Sequence, residues 1–261
     1  MSIDSLLVLG SGQWAVGSEE REMKRQLRIV GLLVLGVLGI AGGSLCYFAF
    51  QKPPVRSRPL PPNLVAIDST RGQQLLATSD YTADYSQLIP HFVPQARRAF
   101  CGVASSVTMI NALQSTEMPL NQFNFFTDAV PKIRSSWAVT FAGMNLAQLD
   151  ALLEAHQLES SVYYASETSL AEFRALVQKN LQNPQDAIAI NYQREVLNQG
   201  KVGHISAIGA YHAKSDRVLI LDVAAHKYPP VWVSTATLWQ ALNTTDPTSD
   251  RDRGFVVVEK P

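Results

Sequence analysis

The chain has 261 residues with 22 basic and 22 acidic side chains, a formal net charge of zero. With no charge excess and no basic run, nucleic acid is not an expected partner. The length holds one sizeable domain or two small lobes, and a hydrophobic content of 46% is ample for a core, although one N-terminal segment inflates it.

Residues 1–28 read as a cytoplasmic segment, unstructured over the first 22, in which Met23 would itself serve as a start. Residues 29–50 then run from Ile29 to Phe50 without a charge. As a helix this stretch would reach about 33 Å, enough for a hydrocarbon layer of about 30 Å. Lys24, Arg25 and Arg28 precede it, so the positive-inside rule keeps the N-terminus in the cytoplasm and exports everything from Gln51 on. The expectation is an inner-membrane anchor with the domain on the periplasmic side. The alternative is a signal peptide cleaved near Ala41-Gly-Gly-Ser44, which would release the domain to the periplasm. Cys46 reads as an apolar residue of the span. Residues 51–62 contain five prolines beside Arg56 and Arg58 and read as an extended, semi-rigid spacer. A catalytic domain is expected over residues 63–261.

Cys101 is the only cysteine of that domain. It cannot form a disulfide within the domain, so it is free to react or to be oxidised. It opens a helix whose apolar residues Val103, Val107, Ile110 and Leu113 fall on one face. A thiolate is the reactive form of cysteine, and a helix N-terminus or a nearby imidazolium favours it. A lone cysteine is more often a small buried hydrophobe, but its company argues otherwise. His204 and Asp222 follow in the order of a cysteine–histidine–acid site. Gln95, six residues upstream, could join the Cys101 amide in holding an oxyanion. Gly102 removes bulk beside the reacting carbonyl.

Two further helices are marked by caps. Asn145-Leu-Ala-Gln148 reads as a capping box, and Ser169-Leu-Ala-Glu172 repeats the signal. The later half reads as strands: 187–192, 204–212 and 217–223 about a turn at 213–216, then 231–233 and 254–258, with a helix at 237–242. Helices first and antiparallel strands second make an α+β protein with two lobes. Cys101 would sit on a helix of one lobe, His204 and Asp222 on strands of the other. Asp222 ends an apolar run, and a buried acid needs a partner, for which His204 is the candidate. His91, His156, His212 and His226 have no metal-site spacing, so no protein-bound metal is expected.

The strings Ala99-Phe-Cys101-Gly-Val-Ala104, Gly203-His204-Ile-Ser-Ala-Ile-Gly209, Leu221-Asp222-Val-Ala224 and Lys227-Tyr228-Pro-Pro-Val-Trp232-Val233 resemble the phytochelatin synthase family. Its members are papain-like glutathione γ-glutamylcysteinyltransferases, and the likeness covers most of Leu88 to Glu259. The resemblance implies a papain-like two-lobe fold and a single-domain bacterial type of enzyme. Cys101 would attack the Cys–Gly bond of glutathione, His204 would move the proton, and Asp222 would orient His204. Gln95 and the Cys101 amide would hold the oxyanion. Asn191, Asp246 and Arg253 would bind the γ-glutamyl end, with Gly102, Gly203 and Tyr228 completing the substrate-binding set. Water or a second glutathione would then take the acyl group. Cadmium or zinc would enter as a metal–thiolate of the substrate, in keeping with a response to metal ions, and no tightly bound cofactor is implied. A homodimer is left open. The chain departs from the family at Ala225, where an Arg is usual, and it lacks the cysteine-rich extension of the plant members, so metal sensing of that kind is not expected. The alternatives are a general papain-like peptidase or amidase, and a catalytically silent thiol- or metal-binding surface protein.

Overall fold

The structure, a computed structural model, describes residues 12–114, 118–127 and 130–260. It divides into two compact units that meet in sequence between Ala49 and Phe50. Helix α1, Gly12–Phe50, dominates the first. Its stretch Glu20–Phe50 is long and apolar enough to cross a membrane, and large apolar side chains such as Leu32 and Ile40 are exposed along it. Residues 12–22, expected to lack structure, are helical. The run Glu20-Arg-Glu-Met-Lys-Arg-Gln-Leu-Arg28 consists of good helix formers, and Lys24 pairs with Glu20 one turn away at 2.6 Å. Residues 1–11 lie outside the described part.

The second unit opens with β1 (Val65–Ala66), α2 (Thr70–Ala77) and α3 (Ala83–Leu88). Next come α4 (Cys101–Gln114), α5 (Val130–Ile133), α6 (Ser136–Ala142) and α7 (Leu146–Ala155). Strand β2 (Glu159–Tyr164), α8 (Leu170–Asn180), β3 (Asp186–Gln193), β4 (Gly203–His212) and β5 (Arg217–Leu221) follow. The chain closes with β6 (Val231–Ser234), α9 (Thr235–Leu242), β7 (Thr245–Asp246), β8 (Arg251–Asp252) and β9 (Gly254–Glu259). The α+β order expected from the sequence is the order found. The capping box at Asn145 and Gln148 is formed, and Ser169 accepts from the Glu172 amide.

Seven strands form one antiparallel sheet in the order β1-β6-β5-β4-β3-β9-β2. Strand β2 had no counterpart in the sequence reading. It pairs with β9 at the sheet edge, from Glu159 opposite Glu259 to Tyr164 opposite Gly254. Both faces of the sheet are covered, and the strands alternate between them with period two. Ala187, Ala189, Ile205, Leu219, Leu221, Trp232 and Val256 face the core that holds α4 and α7. Ile188, Ile190, Tyr192, Val218, Ile220, Val233 and Phe255 face the core that holds α8 and α9. The alanines of β3 lie on the α4 side, where small side chains let a helix approach the sheet.

Residues 51–62 belong to the second unit and are not a free spacer. The Arg56 amide donates to the His226 carbonyl at 2.8 Å, and the Arg58 amide donates to the Lys227 carbonyl at 3.0 Å. The prolines keep the segment extended, and extension lets it lie alongside the loop that follows β5.

Candidate active site

Cys101 is the first residue of α4, which packs on β4. The Ser105 hydroxyl, one turn into the helix, donates to the Ile205 carbonyl at 3.2 Å and fixes the helix against that strand. His204 is the second residue of β4, opposite Tyr192 of β3, whose ring meets the imidazole edge-on at 5.6 Å. Asp222 follows the last residue of β5. It is fully buried, and its Oδ1 lies 3.0 Å from His204 Nε2. This contact leaves His204 Nδ1 for the thiol. A helix and two neighbouring strands thus bring the expected trio together.

Burial in itself pushes the Cys101 thiol up. The charge and hydrogen bond of His204, then the backbone amides of Ile205 and Gly102, outweigh it and hold the thiol below its ordinary value. The helix N-terminus acts in the same direction. For Asp222, burial again works against the charged form. Arg194 first, then His204, override it and keep the carboxylate ionised far below the usual range.

Arg194 is the residue of the candidate site that the sequence reading missed. It lies in the short turn after β3, is 2% exposed, and its Nη2 reaches both Asp222 oxygens at 2.6 Å. Its Nη1 donates to Gln199 Oε1 at 2.6 Å. The signal available in the sequence was an arginine directly behind the apolar strand 187–192. Its partner lies 28 residues away, so local pattern could not pair them.

Cys101 and His204 open into a cavity of about 320 Å³ lined also by Gln95, Arg98, Phe141, Met144, Asn191, Arg194, Gly203, Lys227, Asp246 and Arg253, with Asp222 buried behind them. Three expected substrate residues form a closed group there. Arg253 Nη1 lies 2.8 Å from Asp246 Oδ2 and 3.1 Å from Asn191 Oδ1, and Asn191 Nδ2 donates to Asp246 Oδ2 at 3.1 Å. All three are buried. Burial opposes ionisation of Asp246, but the Thr248 amide and hydroxyl, Asn191 and Arg253 together hold its carboxyl below the ordinary value. Gly203 lines the same space, and a Cβ there would come within 2.9 Å of Arg253 Nη1.

Three expected roles are modified by the structure. Gln95 lines the cavity, but its Nε2 donates to the carbonyls of Arg97 and Arg98 at 3.0 and 2.8 Å. Both amide hydrogens are used in bracing the loop before α4, so in this state Gln95 offers no donor to an oxyanion. Gly102 is buried beneath Met144, and a Cβ on it would lie 2.5 Å from the Met144 sulfur; it shapes the helix seat and does not line the cavity. Tyr228 is also buried outside the lining, with its ring 5.6 Å from the Arg194 guanidinium carbon. It supports Arg194 and does not face the cavity.

Two measurements check the charge network. Alkylation of Cys101 by iodoacetamide should stay fast below about pH 8.5, where an ordinary thiol is protonated. His204→Ala removes the cation and should move the midpoint upward; an unchanged midpoint would exclude the ion pair. Arg194→Met leaves Asp222 buried without its strongest partner and should cost about 3–5 kcal/mol in denaturant unfolding. Wild-type stability in that variant would mean that Asp222 is held by other groups.

Residues 55–255 match the family described as phytochelatin synthase. Glutathione gamma-glutamylcysteinyltransferase 1 of Lotus japonicus is 32% identical over 218 residues, covering 78% of this chain and 42% of that protein. The protein of the same name from Arabidopsis thaliana is 30% identical, covering 79% of this chain and 44% of its own length. The Schizosaccharomyces pombe glutathione gamma-glutamylcysteinyltransferase is 27% identical, with coverages of 77% and 50%. The chain therefore spans half or less of the length of these relatives. Among solved structures, xylellain, a cysteine protease from Xylella fastidiosa, aligns over 82% of this chain and 96% of its own at 7% identity, with a TM-score of 0.43. A match to the family over most of the chain, together with the assembled cysteine–histidine–aspartate trio, makes this protein a member of the phytochelatin synthase family.

Proposed function

We propose that this chain cleaves the Cys–Gly bond of glutathione and passes the γ-glutamylcysteinyl group to water or to a second glutathione. One observation carries the reading. The activated Cys101 and the buried Asn191–Asp246–Arg253 group line one cavity. A γ-glutamyl end bears an α-ammonium and an α-carboxylate, and an acid beside an arginine complements both.

The reaction follows from the geometry. Cys101 Sγ, as thiolate, adds to the carbonyl carbon of the Cys–Gly bond. The developing oxyanion is held by the Cys101 backbone amide at the start of α4, and Gln95 joins it only if its amide turns away from the 97 and 98 carbonyls. His204, held through Nε2 by Asp222, gives its proton to the departing glycine nitrogen. A thioester remains on Cys101. His204 then takes a proton from water or from the amine of an acceptor glutathione, which attacks the thioester carbonyl; the C–S bond breaks and Cys101 leaves as the thiolate beside the protonated imidazole. Cadmium or zinc enters as a thiolate complex of the substrate.

Hydrolysis is expected to exceed transfer. Ala225 supplies no cation where the family usually has an Arg. His226 does not replace it, because burial first, then the charges of Lys227, Arg98 and Arg194, push its imidazole down to about 4, so it is neutral at pH 7.

The helix Glu20–Phe50 supports a membrane anchor, with Lys24, Arg25 and Arg28 on the cytoplasmic side and the catalytic unit in the periplasm.

Two experiments test these proposals. Incubation with glutathione should release glycine, with γ-glutamylcysteine as the main product and short phytochelatins at high glutathione; Cys101→Ser should release none. Asp246→Ala and Arg253→Ala should each lower kcat/KM for glutathione by roughly tenfold or more, from charge-assisted contacts of about 1.5–3 kcal/mol. Glycine release by Cys101→Ser, or equal specificity constants in both other variants, would overturn the assignment. A tag after Pro261 should be cleaved by protease added to intact spheroplasts, on a chain that keeps its hydrophobic segment; a protected tag would reverse the orientation.

A further inference from the structure

At the end of the sheet away from Cys101 lies a buried carboxylate pair that the reaction leaves unused. Asp84, in the first turn of α3, is wholly buried, and neither of its oxygens accepts a hydrogen bond. Asp186, the first residue of β3, is buried with Oδ1 unbonded, and its Oδ2 receives Asn183 only at 3.5 Å. The elements meet there, because the Ala83 amide donates to the Leu181 carbonyl just after α8. Asn180, the last residue of α8, is 3% exposed; its side-chain amide stands against the Asp186 carboxylate in a weak hydrogen bond, and its Oδ1 has no donor. Gln87, one turn beyond Asp84 on the same helix face, has its amide atoms buried and unbonded as well.

Buried polar atoms nearly always find partners, and a buried charge is strongly unfavourable without one. No ion pair reaches either carboxylate among the described residues. Glu259, opposite Asp186 on β9, adds negative charge, which Lys179 offsets only weakly. The acceptors are carboxylate and amide oxygens, with no sulfur or imidazole. That donor set suits a hard cation. Protein oxygens of irregular arrangement fit calcium better than magnesium, which demands near-octahedral geometry and keeps its waters.

We propose that Asp84, Asp186 and the Asn180 amide oxygen hold a divalent cation of the calcium class, a structural ion separate from any metal carried by substrate thiolates. It would tie α3 and α8 to the start of β3. Asn191, on the same strand, lies roughly 16 Å further along at the catalytic cavity.

Without the ion, burial first and then Asp186 raise Asp84 well above the ordinary value, and burial chiefly raises Asp186 to about 6. Both folded-state values are raised, so the ion-free pair favours folding at low pH and loses that contribution as pH rises through about 6. Protons and the cation therefore compete. Thermal unfolding of the full chain in detergent, stripped with EDTA and titrated with calcium chloride, tests this. Tm should rise by about 5–10 °C at a hundredfold excess over Kd. The rise should be larger at pH 7.5 than at pH 5. Asp84→Asn should abolish it while raising the ion-free Tm at pH 7.5, since one buried charge is gone; loss of a merely structural contact would lower that Tm. Asp186→Asn serves the same comparison if Asp84→Asn does not fold. A wild-type chain that ignores calcium and only gains stability on acidification holds a shared proton there, which overturns the proposal. A response to magnesium alone, or a calcium response that survives in both variants, overturns it equally.

Discussion

The ionised Asp222 is the constraint on which the catalytic end of the molecule depends. A carboxylate with no exposure is unfavourable unless its charge is met. Arg194 meets it with two short hydrogen bonds, and the Ala224 amide adds a third contact at 2.9 Å. Only then can His204 be held by its Nε2 with the other ring nitrogen turned to Cys101. The thiol is in turn held low by that imidazole. The order of dependence runs from Arg194 to Asp222 to His204 to Cys101.

The sheet supplies the precision. His204 and Asp222 lie at adjoining ends of β4 and β5, and Asn191 lies on β3 beside β4. Arg253 precedes β9, whose first residue pairs with Asn191. Neighbouring strands are held about 4.8 Å apart, so four site residues acquire fixed separations from backbone pairing alone. A Cβ at Gly254 would sit 2.0 Å from the Tyr163 carbonyl oxygen. Only glycine lets β2 close against β9 next to Arg253.

Much of this was legible in the sequence because the signals were local. A cysteine at a helix start, caps at Asn145 and Ser169, and the turn at 213–216 each rest on a few adjacent residues. The pairing of His204 with Asp222 was readable because the two sit near one hairpin. What was not readable depends on distant partners. Arg194 is an ordinary loop arginine until β3, β4 and β5 bring Asp222 to it. The polar start of β2, Glu159-Ser-Ser, gave no strand signal because its pairing with β9 supplies the stability. Gln95 was placed correctly at the cavity, but the direction of its amide is set by the carbonyls of Arg97 and Arg98. The five prolines of 51–62 specified an extended backbone and were silent about what lies alongside it.

That proline segment ties the active-site rim to the chain that precedes it. Its amides at Arg56 and Arg58 are the donors for the His226 and Lys227 carbonyls, on the loop between Asp222 and Tyr228. A chain cut at Asn63, where composition places the domain boundary, would leave those two carbonyls to solvent and free the loop that carries Lys227. An intact second unit therefore begins upstream of Arg56. The segment 51–62 is thus a structural part of the active-site rim, and the loop beside Asp222 keeps its shape only while that segment lies against it.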